Sequence, residues 1–375
     1  MRCKTIVAGI LALAYASAAH GQEFNDPAEF KRQRDLLSMD AQGPKDQPWV
    51  QYLGEGMADT AKYKKDGTHT ICFSNAGIFN PWRVVGMNNF TAEAELHKDK
   101  IKELLILDAE GKDDKQISDI QSLVSGGKCD VLIVSPNTTA ALTPAVEAAC
   151  EKLPVIVFDR GVNTKCPVTY IHPVGGYGFG ITSGEFIAGK LQKGANVLAL
   201  RIVPGVDVLE TRYSAAKTIF DEAGLKVIGS EFTGSDRAKT KAVVEDYINR
   251  GEKIDAVWMD AGDTATAALE AFEDAGLPYP VISGEDQQDF LRKWEKDKLV
   301  AIGPSYPTYQ WRTPIIAALD ILDGKSVPGP EWNLPQPAIT QDTLAGYIDE
   351  RMPALHYSLC GCQDLPGYPQ RWGGK

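Results

Sequence analysis

No Gly-x-Ser-x-Gly elbow, no His-Glu-x-x-His helix and no phosphate-binding loop occurs in the 375 residues. Asp323-Gly324-Lys325-Ser326 lacks the upstream glycine such a loop needs, and the glycines at 175–180 lack dinucleotide-binding spacing. Histidine is scarce, at five. The four beyond residue 21 (His69, His97, His172 and His356) never stand three or four residues apart, so no helical metal pair is available. No catalytic constellation is in view, and the chain is expected to be no enzyme and to need neither cofactor nor metal. Basic tracts are missing too. Lys+Arg number 39 against 50 Asp+Glu, a net charge of −11, or −13 once Arg2 and Lys4 are removed. That field repels phosphate backbones and argues against nucleic acid as a partner.

No run of 18 apolar residues is present either. The apolar stretch Ile6–Ala16 is too short to span a bilayer of roughly 30 Å. Preceded by Arg2 and Lys4 and followed by the small-residue segment 17–21, it reads as a signal peptide, Met1–Gly21, cleaved after Ala18 or Gly21. Cys3 stands before the apolar core, whereas a lipid-anchoring cysteine would follow it. The mature chain is expected to be soluble and exported to the periplasm. Cysteines are then read for an oxidising compartment: Cys72, Cys129, Cys150, Cys166, Cys360 and Cys362 remain. Cys150 closes a helix and Cys166 follows the next strand, which makes them the first candidate pair. Cys360-Gly-Cys362 is expected to pair outward or internally rather than bind metal, because His356 stands alone beside it.

What is present is globular text: 43% hydrophobic and 24% charged residues, long enough for two domains. Residues 22–67 are polar and turn-rich and read as an extension lying on the body, with charged helical pieces such as Pro27–Ser38. From Thr68 short β-rich runs alternate with helical periods. They include Thr70–Ser74, Leu104–Asp108, Val131–Ser135, Val155–Phe158, Asn196–Leu200, Lys226–Gly229, Ala256–Met259, Val281–Gly284 and Val300–Gly303. Such alternation predicts an α/β fold with parallel sheets covered on both faces. A glycine-rich break at Pro173–Gly180 divides it into two lobes. The proline-rich Val327–Ala338 reads as a surface connection.

Ligands of open α/β sheets bind outside the carboxyl ends of the strands. Those ends carry Asn75, Asn80, Trp82 and Arg83, then Asp159 and Arg160, Arg201 and Arg212, Asp260 and Asp263, and Glu285 and Asp286. Carboxylates and guanidinium groups fork onto adjacent hydroxyls, and an aromatic ring covers the C–H face of a sugar. The set therefore suits a polyhydroxylated ligand. Each residue has a plainer reading: Asp263 as a helix cap, Trp82 as core, Arg212 as a surface ion-pair partner. Trp258, inside a strand, reads as core.

Five marks together resemble the type I periplasmic sugar-binding proteins, the ribose- and galactose-binding group of ABC-transporter solute receptors. They are Asn80-Pro81-Trp82, Val157-Phe158-Asp159-Arg160, Arg212 opening a helix, Ser235-Asp236-Arg237 and Ser283-Gly284-Glu285-Asp286. The similarity runs from about Thr70 to Lys325. It departs from the ribose pattern where Arg83 and Ser235 replace aromatics and where Gly262-Asp263 replaces Asn-Asp. The resemblance implies two doubly wound parallel-sheet lobes joined by a three-segment hinge. Lobe one would hold 68–173 and 306–335, and lobe two 174–305 with the tail 336–375. It implies a ligand set of Asn80, Trp82, Arg83, Asp159, Arg160, Arg212, Asp236, Asp260, Asp263 and Asp286. The partners implied are a sugar or polyol and an ABC transporter permease, with the protein itself a monomer. A receptor signalling to a membrane sensor and an exported sugar-acting enzyme are the other readings; a regulator of this fold would need a basic helix-turn-helix.

Overall fold

The structure, a computed structural model, describes residues 24–375, so the leader expected at 1–21 lies outside the described residues. Helix α1 (Pro27–Leu37) and a short strand β1 (Met57–Ala58) precede the alternating body. The first half of that body runs β2 (His69–Asn75), α2 (Pro81–Leu96), β3 (Ile101–Asp108), α3 (Asp113–Ser125), β4 (Val131–Ser135), α4 (Thr139–Cys150), β5 (Val155–Phe158) and β6 (Thr169–Pro173). The second runs α5 (Gly176–Lys190), β7 (Asn196–Arg201), α6 (Asp207–Glu222), β8 (Lys226–Phe232), α7 (Arg237–Asn249), β9 (Ala256–Met259), α8 (Ala265–Asp274), β10 (Val281–Ser283), α9 (Gln288–Asp297) and β11 (Ala301–Pro304). The chain then returns through α10 (Thr313–Leu322), β12 (Val327–Pro328), β13 (Glu331–Leu334) and β14 (Ala338–Ile339).

Two six-stranded sheets result, ordered β13-β6-β5-β4-β2-β3 and β14-β11-β10-β9-β7-β8. Every pairing in them is parallel except β11 with β14. Central strands such as β4 and β5 are buried at every residue, which is why they read as continuous apolar runs rather than alternating ones. In each sheet the order reverses once, between β2 and β4 and between β7 and β9. Those reversals open crevices at the strand ends, where ligands bind in this architecture.

Val327–Ala338, read as a surface connection, instead supplies sheet strands. Prolines 328, 330, 335 and 337 bracket Glu331–Leu334, which pairs with β6, and Trp332 and Leu334 are buried. Prolines at the ends of an edge strand cost no ladder bond, so the run remains strand-competent. The tail expected to belong with lobe two touches both lobes. Asn89 on α2 donates to the Cys360 carbonyl at 2.8 Å, while Asp286 beyond β10 accepts from the Leu359 N–H at 2.7 Å. Disulfides join Cys72 to Cys129, Cys150 to Cys166 and Cys360 to Cys362.

The chain passes between the lobes three times: after β6, after β11 and after β13. These passages are bonded to one another. The Gly175 N–H donates to Gln336 Oε1 at 2.8 Å, and Ser305 Oγ donates to the Pro337 carbonyl. Helix α1 lies beside the first passage. Arg32 pairs with Glu331 on β13 at 3.1 Å, and Gln33 Oε1 accepts from the Gly178 N–H on α5 at 2.9 Å.

Candidate functional site

A cavity of about 200 Å³ lies between the strand ends of the two lobes. Lobe one contributes the turn after β2 and the start of α2. Asn80 caps α2 through its Oδ1, which accepts from the Arg83 N–H at 2.9 Å, and Pro81 occupies the first helical turn. This geometry turns Arg83 inward. Its guanidinium, 1% exposed, meets Asp159 Oδ2 at 2.7 Å and donates to Asn75 Oδ1 at 3.2 Å. Burial lowers the Arg83 pKa to about 10, and Asp159 opposes that shift.

Asp159 holds a φ of 69°, which a non-glycine residue adopts at a cost. Its neighbours account for that conformation. The hydroxyls of Tyr306 and Tyr170 both donate to the Asp159 carbonyl, at 3.0 and 3.1 Å. Arg160 follows on the cavity wall and donates to the Asn137 carbonyl. Trp82 also reaches the wall, but it is buried to 9% exposure and its indole N–H donates to the Tyr306 carbonyl at 2.7 Å. The aromatic with a free face is Phe79, 53% exposed, with the Arg83 guanidinium 5.1 Å from its ring centroid.

Lobe two supplies Arg212, Asp263 and Glu285. Arg212, on α6, donates to the Asp260 carbonyl at 2.5 Å, stands 3.7 Å from Glu285 Oε1 and lies over the Phe179 and Tyr306 rings. Its Nε has no partner, and neither has Asp263 Oδ1. Burial pushes Glu285 up to about 8, although Arg212 pulls the other way, and pushes Asp263 up to about 6.

The structure thus brings Asn80, Trp82, Arg83, Asp159, Arg160, Arg212 and Asp263 to one cavity. Three residues of the expected set lie elsewhere. Asp236 is exposed and caps α7, its Oδ1 accepting from the Lys239 N–H at 2.9 Å. Asp260 is buried behind the wall, where its Oδ1 accepts from the Ile202 N–H at 2.9 Å and burial pushes it up to about 7. Asp286 faces the tail, because successive residues leaving a strand point to opposite sides and Glu285 takes the cavity side. The expected ligand set also left out the wall residues Phe79, Glu285, Tyr306 and Tyr357, although Glu285 stood among the strand-end residues. Phe79 and Glu285 adjoin the marked Asn80 and Asp286 and were legible by position. Tyr357 belongs to the tail; its hydroxyl donates to Glu285 Oε2 at 3.2 Å and accepts from Gln287 Nε2 at 2.8 Å.

The arrangement suits binding: paired charges, fixed carbonyls and one exposed ring around a small cleft. Residues 71–326 match the family model described as a periplasmic binding protein domain. The ribose import binding protein of Bacillus subtilis (strain 168) is 32% identical over 259 residues, covering 69% of this chain and 83% of that one. The galactofuranose-binding protein of Escherichia coli (strain K12) is 28% identical over 223 residues, 56% of this chain and 67% of that one. Among solved structures, the arabinose ABC transporter binding component from Shewanella sp. ANA-3, bound to alpha and beta-L-arabinofuranose, superposes with a TM-score of 0.66. It is 23% identical and covers 74% of this chain and 93% of that one, a likeness of fold.

Proposed function

The chain belongs to the periplasmic binding protein domain family, and from that premise we propose that it captures a sugar or sugar-like polyol between its lobes. It works in the periplasm as a monomer and delivers the ligand to the permease of an ABC transporter. One observation carries this reading: a single small cavity takes three guanidinium groups (Arg83, Arg160, Arg212) and three carboxyl groups (Asp159, Asp263, Glu285) from both lobes. Donors and acceptors in that number suit vicinal hydroxyls. Phe79 offers the ring for a C–H face.

Contacts from two lobes favour a closed arrangement only through their differential affinity for it. A thermal-shift screen of pentoses, hexoses, sugar acids and polyols, in pyranose- and furanose-forming series, should give a hit. A ligand at 100 times its Kd adds about 2.7 kcal/mol. Small-angle scattering should then show a smaller radius of gyration at saturation. No stabilisation by any member of the screen would overturn the reading.

A further inference from the structure

A second cavity of about 250 Å³ adjoins the first and is of similar size. The two share Arg160, Val206, Val208 and Tyr306 in their walls. The second is also built from strand ends of both lobes: the turn after β4 with Asn137 and Thr139, and the β7–α6 loop. It is therefore a continuation of the same cleft toward the first interlobe passage. Its far wall is His172 on β6, Glu331 on β13 and Arg32 on α1. Arg32 and Glu331, which complete the space, fall outside residues 71–326.

His172 is 5% exposed and its Nε2 has no hydrogen-bond partner. Its Nδ1 lies 2.5 Å from the Pro173 carbonyl, an acceptor only, so the proton sits on Nδ1. Nε2 is then a bare acceptor on the cavity, 4.0 Å from Glu331 Oε2. Burial lowers the His172 pKa, which keeps the ring neutral and that lone pair available. Glu331 Oε2 also meets the Arg32 guanidinium at 3.1 Å, so the carboxylate is neutralised and His172 Nε2 is the open acceptor, which calls for a hydroxyl donor.

We propose that this second cavity is a subsite for a further sugar ring, so that the ligand is a disaccharide or glycoside rather than a free monosaccharide. The inference rests on the sugar-binding reading, which places one ring in the first cavity; an adjoining space of similar size accommodates another. Phe79 and the Arg–carboxylate set grip the first ring, while His172 accepts a hydroxyl of the second.

The experiment is calorimetric titration of the full mature chain. The monosaccharide with the largest thermal shift is compared with disaccharides that contain it, and both with His172→Phe and Thr139→Trp. His172→Phe keeps a ring against Tyr170 and removes the acceptor; Thr139→Trp fills the second cavity without touching the first. At least one disaccharide should bind tenfold or more tighter than its monosaccharide. Either variant should erase that gain and leave the monosaccharide within twofold. Equal or weaker binding of every disaccharide, with Thr139→Trp silent for all ligands, overturns the subsite and leaves the sugar reading standing. Binding of neither class overturns both. Circular dichroism separates an unfolded His172→Phe from a lost contact, and Thr139→Trp, on a half-buried helix start, gives the second readout.

Discussion

Lobe one brings two guanidinium groups and one carboxylate to the cavity; lobe two brings one guanidinium and two carboxyl groups. The halves also differ in how far they are already satisfied. In lobe one Arg83 and Asp159 are bonded to each other, Asn75 and Ser135 take further contacts, and two tyrosines hold the Asp159 carbonyl. In lobe two Arg212 Nε and Asp263 Oδ1 are unpartnered, and one carboxylate oxygen each on Asp260 and Asp286 behind them is unpartnered too. A buried polar atom without a partner costs about 1–3 kcal/mol. Around the first cavity, lobe one is therefore a finished template that orients the ligand; its unpartnered His172 Nε2 belongs to the second cavity. Lobe two holds unused bonding capacity that a ligand can satisfy.

On that contrast, charge removal should damage folding in lobe one and binding in lobe two. The largest effect is expected from Arg83→Ala, which leaves Asp159 buried and unpaired and should cost about 3–5 kcal/mol in urea unfolding. Loss of affinity with the unfolding midpoint unchanged would reverse the assignment. Arg212→Ala comes next. It should weaken sugar binding at least thirtyfold, about 2 kcal/mol, with a smaller change in stability. An Arg212→Ala protein that binds as tightly as wild type would make the two lobes equivalent.

The pH response sharpens the contrast further. Glu285, raised to about 8, and Asp260, raised to about 7, bind protons more tightly folded than unfolded. Their contribution is fully present below the unfolded carboxyl values and is lost as pH rises through the folded ones. His172 and His356 are lowered, His356 to about 4, and oppose this trend only below their unfolded value near 6.5. The apo protein should accordingly lose stability between about pH 6.5 and 8, and Glu285→Gln should flatten that fall. A thermal midpoint that climbs across the window contradicts it. A ligand hydroxyl donating to Glu285 should favour its ionised form and release a proton on binding, measurable by titration in buffers of different ionisation enthalpy. The smallest effect is expected from Phe79→Ala: affinity down about three- to tenfold, as for an aromatic contact worth roughly 0.5–1.5 kcal/mol, and stability within about 0.5 kcal/mol.

Much of the scaffold was legible because central parallel strands are wholly apolar and end in polar residues. VLIVS, VIVF and AVWM locate β4, β5 and β9 without any partner information. Seven of the ten expected ligand residues reach the cavity wall for the same reason. The misses have a common physical origin. Whether Glu285 or Asp286 faces the cleft depends on pleat and register, which one strand alone does not declare. That Arg83 is also fastened to Asn75, Ser135 and Asp159 could not be read locally, since Ser135 and Asp159 come from other strands. Asp236 was expected at the ligand on the resemblance alone, and a short acid before a helix serves equally as its cap, the role it takes here. Tyr357 and β13 owe their positions to tertiary packing with weak local signals.

The bonds among the three interlobe passages have a mechanical consequence. Three separate strands could twist, shear and bend in several combinations. Gln336 couples the first passage to the third, and Ser305 couples the second to the third, so the set moves as one bundle. Tyr306, in the second passage, is fastened to lobe one through Asp159 and Trp82, which leaves Pro304 and Ser305 to absorb rotation there. In the closure proposed above, passages tied in this way would turn together, and the angle between the lobes would set the spacing between Asp159 and Arg212.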